Sequence, residues 1–208
     1  MSSAPDGAAV VQPASFAFTS ENLARARAIV AKYPPGRQAS AILPLLDLAQ
    51  RQHDNWLPRA AMDAVAEMLE MAPIRVYEVA TFYSMLNLRP VGRHFFQICT
   101  TTPCWLRGSD EVVRACERKL GITIGETTPD GRFTLTEVEC LGACVNAPIV
   151  QVNDDFYEDL DGTSTERLID ALSRGETPKP GSVIGRQTSA PEGGRLTLTD
   201  LSFAGGKR

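Results

Sequence analysis

The sequence is poor in the features that announce a membrane span or a nucleic-acid binder. It has no apolar run near the roughly 18 to 20 residues that a spanning helix needs, so any membrane association is expected to go through a partner. Positive charge is not in excess: 21 Lys and Arg stand against 25 Asp and Glu, a net charge of -4. That balance argues against a protein built to displace counterions from phosphates. No G-x-G-x-x-G turn and no G-x-x-x-x-G-K-S/T loop occurs, so the chain is not expected to bind a dinucleotide or nucleotide by itself. The dithiol motif C-x-x-C is also missing, which weighs against a disulfide oxidoreductase. The two histidines, His53 and His94, are far apart in sequence and lack ligand-like neighbours. The first positive charge is Arg25, preceded by Asp6 and Glu21, a start that reads neither as a secretory signal nor as an Arg-rich transit peptide. A cytoplasmic protein is the expectation, with a processed organellar one as the alternative.

At roughly 150 residues per domain, 208 residues suit one domain with an appendage or two small ones. Residues 1–19, rich in Ser, Ala and Pro, read as a flexible leader. Helical periodicity then runs from Ser20, a candidate N-cap, through "ENLARARAIVAKY" to Pro34 and Pro35. It resumes in "ASAILPLLDLAQRQ", with an expected kink at Pro44, in "NWLPRAAMDAVAEMLEM" with Pro58 in its first turn, and in "APIRVYEVATFYSML". Residues 20–90 are therefore expected to form a helical bundle, with Met62, Met68, Tyr77, Phe82 and Tyr83 as core.

The texture changes after "NLRPVG". "RHFFQICT" is strand-like, "GSDEVVRACERKLG" a capped helix, "GRFTLTEVEC" a strand of period two, "APIVQVNDDFYEDL" a hairpin turning at Asn153 and Asp154, and "STERLIDALSRG" a closing helix. Residues 91–175 thus read as a thioredoxin-like α/β domain with a four-stranded sheet, making the whole chain α+β. From Glu176 to Arg208 the composition is dominated by Pro, Gly, Ser and Thr. This extended tail is expected to be loose in isolation and to dock on partner subunits, with "LTLTDLSF" available as an added strand.

Four of the five cysteines fall in two close pairs, "CTTTPC" at 99–104 and "CLGAC" at 140–144. Each pair leaves the end of a predicted strand, and loops at equivalent strand ends lie side by side in an open α/β sheet. Four converging thiolates repel unless a cation neutralises them, which points to a metal centre at Cys99, Cys104, Cys140 and Cys144. The spacings C-x4-C and C-x3-C are wider than the C-x2-C knuckles common in structural zinc sites. They favour a 2Fe-2S cluster, whose two irons each offer two terminal positions, with zinc as the alternative. Thr100, Thr101 and Thr102 bring donors toward bridging sulfides, Gly142 permits positive φ, and Pro103 stiffens the turn. Cys116 lies four residues from both Val112 and Leu120 and reads as a buried apolar residue.

Together "GRQASAILPLLDLAQ", "EVATFY", "PVG", "QICTTTPC" and "ECLGACVNAP" resemble the 24-kDa, 2Fe-2S subunit family of respiratory complex I, the NADH:quinone oxidoreductase, over about 20–180. Homologous subunits occur in NAD-linked hydrogenases and formate dehydrogenases. The resemblance implies a helical bundle followed by a thioredoxin-like ferredoxin domain, with Cys99, Cys104, Cys140 and Cys144 as ligands of one 2Fe-2S cluster. It also implies a non-catalytic electron-transfer subunit of the NADH dehydrogenase module, in the peripheral arm on the cytoplasmic side of the membrane. FMN and NADH would belong to a 51-kDa-type partner, a 75-kDa-type iron-sulfur subunit would be a second partner, and the cluster would act as a side acceptor beside the flavin. The chain departs from the family at Thr100, where Gly is frequent. A structural zinc-binding adaptor is the alternative from a different class.

From Glu137 to Asp161 there are seven acidic side chains and no basic one. Most read as a solvated face. Glu139 adjoins a candidate ligand, and its charge opposes the electron that reduction adds, so a low reduction potential is expected.

Overall fold

The computed structural model describes residues 10–194, 196 and 197. They fall into two compact units that meet in sequence between Arg93 and His94. Residues 1–9 of the expected leader, and most of "LTLTDLSF", lie outside the described residues.

In the first unit, α1 (Ser20–Val30), α2 (Ile42–Gln52), α3 (Arg59–Met68) and α4 (Pro73–Phe82) share one core. Leu45, Leu46, Ala49, Leu57, Ala61, Val65 and Val76 are almost wholly buried in it. Each large aliphatic side chain contributes about 1.5–3 kcal/mol by leaving water, while the alanines let neighbouring helices approach. The cap of α1 is Thr19 rather than Ser20: its hydroxyl accepts from the Asn22 N–H at 3.2 Å. Pro44 does not fall in a helix interior, where a kink is expected. A 3-10 turn over Gln38–Ala41 precedes α2, which places the proline in the first turn, where no intrahelical N–H bond is forfeited. Pro58 stands just before α3, as its N-cap.

Residues 10–19 are not a free leader. Phe16 and Phe18 pack against the core, Gln52 accepts from the Thr19 N–H at 3.0 Å and donates to the Ala17 carbonyl at 2.9 Å, and Gln12 accepts from the Arg59 N–H at 2.9 Å. The expected core aromatics also differ. Met62 and Met68 pack on the core, but the Tyr77 hydroxyl donates to Asp63, while Phe82 (79% exposed) and Tyr83 meet edge to face at 5.1 Å. Helix α4 ends there, so the helical stripe no longer dictates which way these two rings face.

The second unit is a sheet in the order β2-β1-β3-β4-β5, with β1 at His94–Cys99, β2 at Phe133–Val138, β3 at Val150–Val152, β4 at Asp155–Glu158 and β5 at Gly181–Ser182. Strands β1 and β2 are parallel, and β3 runs antiparallel to both β1 and β4. Between β1 and β2 the chain makes α5 (Thr102–Leu106) and α6 (Ser109–Leu120); α7 (Gly162–Ser173) follows β4. Phe96, Ile98, Val112, Cys116, Leu135, Val150 and Ile169 form the core. Helix α6 is bounded by glycines rather than by a side-chain cap, since Gly108 and Gly121 both take left-handed φ. Helix α7 carries a capping box between Asp161 and Ser164.

The sheet has five strands where four are expected from the sequence, because part of the tail supplies the fifth. Strand β5 pairs in parallel with β4, covering an edge that would otherwise present unpaired backbone groups. Residues 176–190 accordingly lie on their own domain, and the sequence pattern missed this because the strand is only two residues long.

Candidate metal centre

Cys99 is the last residue of β1, in register with Val138, the last residue of β2. The two parallel strands therefore end level, and the loops that carry the cysteine pairs leave the same sheet end. In the first loop Thr101 precedes α5, whose short turn brings Cys104 back into the interior; Cys99 and Cys104 are each 1% exposed. In the second loop Gly142, at φ +81, turns the chain so that its N–H faces the Cys140 sulfur at 3.4 Å, a conformation that any Cβ would disfavour. A 3-10 turn over Cys144–Asn146 then sets Cys144 3.2 Å from Cys140, sulfur to sulfur, and both are exposed. All five cysteines are free thiols.

Two contacts tie the loops together. The Leu141 amide lowers the Cys99 thiol, and the Thr101 hydroxyl, 3.3 Å from the Cys99 sulfur, lowers both Cys99 and Cys140. The Ile149 N–H faces Cys104. Sulfur thus meets backbone donors on several sides, as a site for anionic thiolates requires. Thr100 does something else: its hydroxyl donates to Glu137, bridging the ends of β1 and β2.

Within each pair the two thiols differ. Burial pushes Cys99 up, but the Thr101 hydroxyl and amide, the Cys104 thiol and the Leu141 amide outweigh it, so Cys99 is held below the ordinary thiol value. Burial, with the neighbouring Cys99, pushes Cys104 up to about 12. Cys140 is lowered by the Cys144 thiol and the Gly142 amide, and Cys144 is raised by Cys140 in return. Among the described residues no three His, Cys, Asp or Glu side chains gather as ligands of a single ion would. The sulfurs are arranged two and two.

The remaining candidates take their places elsewhere. Cys116 is fully buried in the core of the second unit, and burial pushes its thiol up to about 12. His53 packs on Trp56 at 4.8 Å and His94 on Phe133 at 5.1 Å. Glu139 is exposed beside Cys140. The acidic run is not uniformly solvated: Asp159 is buried against Arg186, and Glu158 accepts from Asn146 at 2.5 Å. The Leu141 and Ile149 amides escape a reading by residue type, because backbone donors carry no sequence signal. Asn146 and Arg186 escape it because their partners lie 42 and 27 residues away in the chain.

The sequence matches the thioredoxin-like 2Fe-2S ferredoxin family over residues 26–173. An NADH-quinone oxidoreductase subunit of Rickettsia felis is 61% identical over 159 residues, which cover 76% of this chain and 95% of that protein. The mitochondrial NADH dehydrogenase (ubiquinone) flavoprotein 2 of Dictyostelium discoideum is 51% identical over 185 residues, 89% of this chain and 75% of that protein. Among solved structures, an NAD+-reducing NiFe-hydrogenase in its H2-reduced state superposes with a TM-score of 0.56 at 20% identity, over 65% of this chain and 23% of that one, a likeness of fold.

Proposed function

Because the chain belongs to the thioredoxin-like 2Fe-2S ferredoxin family, we propose that it is the electron-transfer subunit of the NADH dehydrogenase module of respiratory complex I. The observation that carries this reading is the joining of two cysteine pairs at the level ends of β1 and β2. The donor set fits a 2Fe-2S cluster: it is all sulfur, divided into two pairs, with the amides of Leu141, Gly142 and Ile149 facing it. Cys99 and Cys104 would hold one iron, and Cys140 and Cys144 the other. When bound, the cluster supplies a one-electron carrier.

The protein's own part is placement and tuning. Helix α5 and the 3-10 turn fix the sulfurs, the amides stabilise negative charge on them, and the core behind Cys99 and Cys104 keeps water away on that side. No acid, base or nucleophile is assigned. On the open side, Trp105 (58% exposed), Leu106 (71%) and Val145 (64%) adjoin Cys104 and Cys144. An apolar rim beside exposed thiols suits a partner surface. We assign it to the 51-kDa-type subunit that binds FMN and NADH, with a 75-kDa-type iron-sulfur subunit as second neighbour. Among the described residues no helix is long and apolar enough to cross a membrane, which is compatible with a place in the peripheral arm on the cytoplasmic side. A hydrogenase or formate dehydrogenase assembly is the weaker reading, since the likeness to a hydrogenase stands at 20% identity against 61% for the complex I relative.

Iron and acid-labile sulfide analysis of the purified chain tests the cofactor. About two of each per chain, with an electron paramagnetic resonance signal on reduction, is the expected result. Zinc in a colourless protein would overturn it. Purification of the tagged chain from its own cells tests the assembly, with flavin- and NADH-binding polypeptides expected to come with it.

A further inference from the structure

Beyond residue 173, where the family match ends, the chain returns across the sheet and buries an ion pair. Asp159, just after β4, is 3% exposed, and Arg186 is 7% exposed. The guanidinium forks onto both carboxylate oxygens, Nη2 to Oδ1 at 2.6 Å and Nε to Oδ2 at 3.1 Å. Burying two charges costs several kcal/mol per ion unless their remaining hydrogen-bonding capacity is met. Here it is: the Ser182 hydroxyl donates to Asp159 at 2.6 Å, and Arg186 Nη1 donates to the Ala190 carbonyl at 3.1 Å. A tail that only waited for a partner would have no reason to bury such a pair on its own domain.

The pair is one step from the second cysteine loop. Asp159 takes a left-handed φ of +55, which Asp tolerates better than most residues, and this turns its N–H onto the Asn146 carbonyl at 2.7 Å. Its side chain thus holds the tail while its backbone holds the loop. Asn146 closes the 3-10 turn that begins at Cys144, and is itself 4% exposed. Its amide donates to Glu158 and to the Thr188 carbonyl at 2.8 Å. Thr188 also adopts a left-handed φ, +50, a costly conformation for a β-branched residue, and it presents that carbonyl to Asn146.

We propose that residues 176–190 are a strap for the cysteine loop, with Arg186 as the positioning residue that fixes Cys144 through Asp159 and Asn146. Its action on a cluster rests on the function proposed above, whereas its hold on the loop does not. The strap is an anchor on the outer side of the loop: Leu141, Ala143 and Ala147 pack inward on the small core that holds Cys99 and Cys104, while Asn146 ties the turn that carries Cys144 to Asp159 and Thr188.

Two variants test this on the full chain as purified. Arg186→Met removes the fork, and Asp159→Asn with Arg186→Met removes both charges, so that no unpaired carboxylate remains buried to unfold the domain. Hydrogen exchange over residues 141–147 is expected to speed up about tenfold in both variants, while 133–138 keeps its protection. Release of the cluster to a chelator, followed by its visible absorbance, is expected to be about tenfold faster. Faster exchange in residues 178–190 alone, with 141–147 unchanged, would overturn the strap. So would cluster release at the wild-type rate from both variants. A wild-type chain without iron and sulfide would overturn the proposed function but leave the strap to be decided by the exchange rates.

Discussion

Cys99, the last residue of β1, stands in register with Val138, the last residue of β2 and two residues before Cys140. The level strand ends thus bring to one end of the sheet two loops whose cysteines are 36 residues apart at their nearest, Cys104 and Cys140. The site proposed above draws its four sulfurs from these loops, and its expected consequences are specific.

Replacing Cys99, Cys104, Cys140 or Cys144 singly by Ser should lower the iron content below about two per chain, because each is assigned one of the four terminal positions. Cys116→Ser should retain full iron while lowering the melting temperature, since a hydroxyl buried without a partner costs about 1–3 kcal/mol. Parallel iron assays and thermal melts across the five variants check both halves.

Cys116 should also resist alkylation in the native chain at pH 8. Its thiol, pushed up to about 12 by burial, is neither ionised nor accessible. Mass mapping after iodoacetamide treatment should find it unmodified until denaturant is added. Labelling at a rate like that of an exposed thiol would contradict the core placement.

Glu139→Gln should raise the reduction potential, by on the order of tens of millivolts at low salt and less at high salt. The carboxylate is exposed next to Cys140, so its charge acts on the site but is screened. A redox titration at two ionic strengths measures the shift, and an unchanged potential at low salt would refute the assignment.

Asp161 tests the fold with pH. Its carboxylate accepts from the Ser164 backbone N–H at 2.6 Å, which holds its pKa below the usual aspartate value. A depressed folded pKa means that the stabilisation is fully present above the unfolded value of about 3.9 and is lost as pH falls through the folded one. Asp161→Ala should therefore cost about 1 kcal/mol near neutral pH, as lost caps do. The gap in melting temperature between wild type and variant should start to narrow below about pH 4 and close only as pH falls through the lower, folded pKa.

How far the sequence reached differs from one element to the next. The period-two run before Cys140 and the apolar run before Cys99 announced the two strands. The turn at Asn153 was legible because Asn accepts the positive φ found there, +54. Pro44 stands in a first turn rather than inside a helix, because a local rule for proline depends on where the helix begins, and a preceding 3-10 turn moves that point. Phe82 and Tyr83 were expected inside because they continue a stripe, yet the helix stops beneath them. The tail was read as loose from composition. Composition registers average burial and carries no trace of one arginine that finds a carboxylate 27 residues upstream.

By itself the sequence determined the chemistry: which residues can bind a soft metal, in what spacing, with no nucleotide loop and no dithiol motif beside them. Those are properties of covalent order and side-chain type, and they hold before folding. Only the tertiary structure decided that Cys99 and Cys104 are buried while Cys140 and Cys144 face outward, that β1 and β2 end level, and that Arg186 reaches back to Asp159. Each of those rests on groups brought together from distant parts of the chain, where burial and hydrogen-bond satisfaction are fixed by the packed whole.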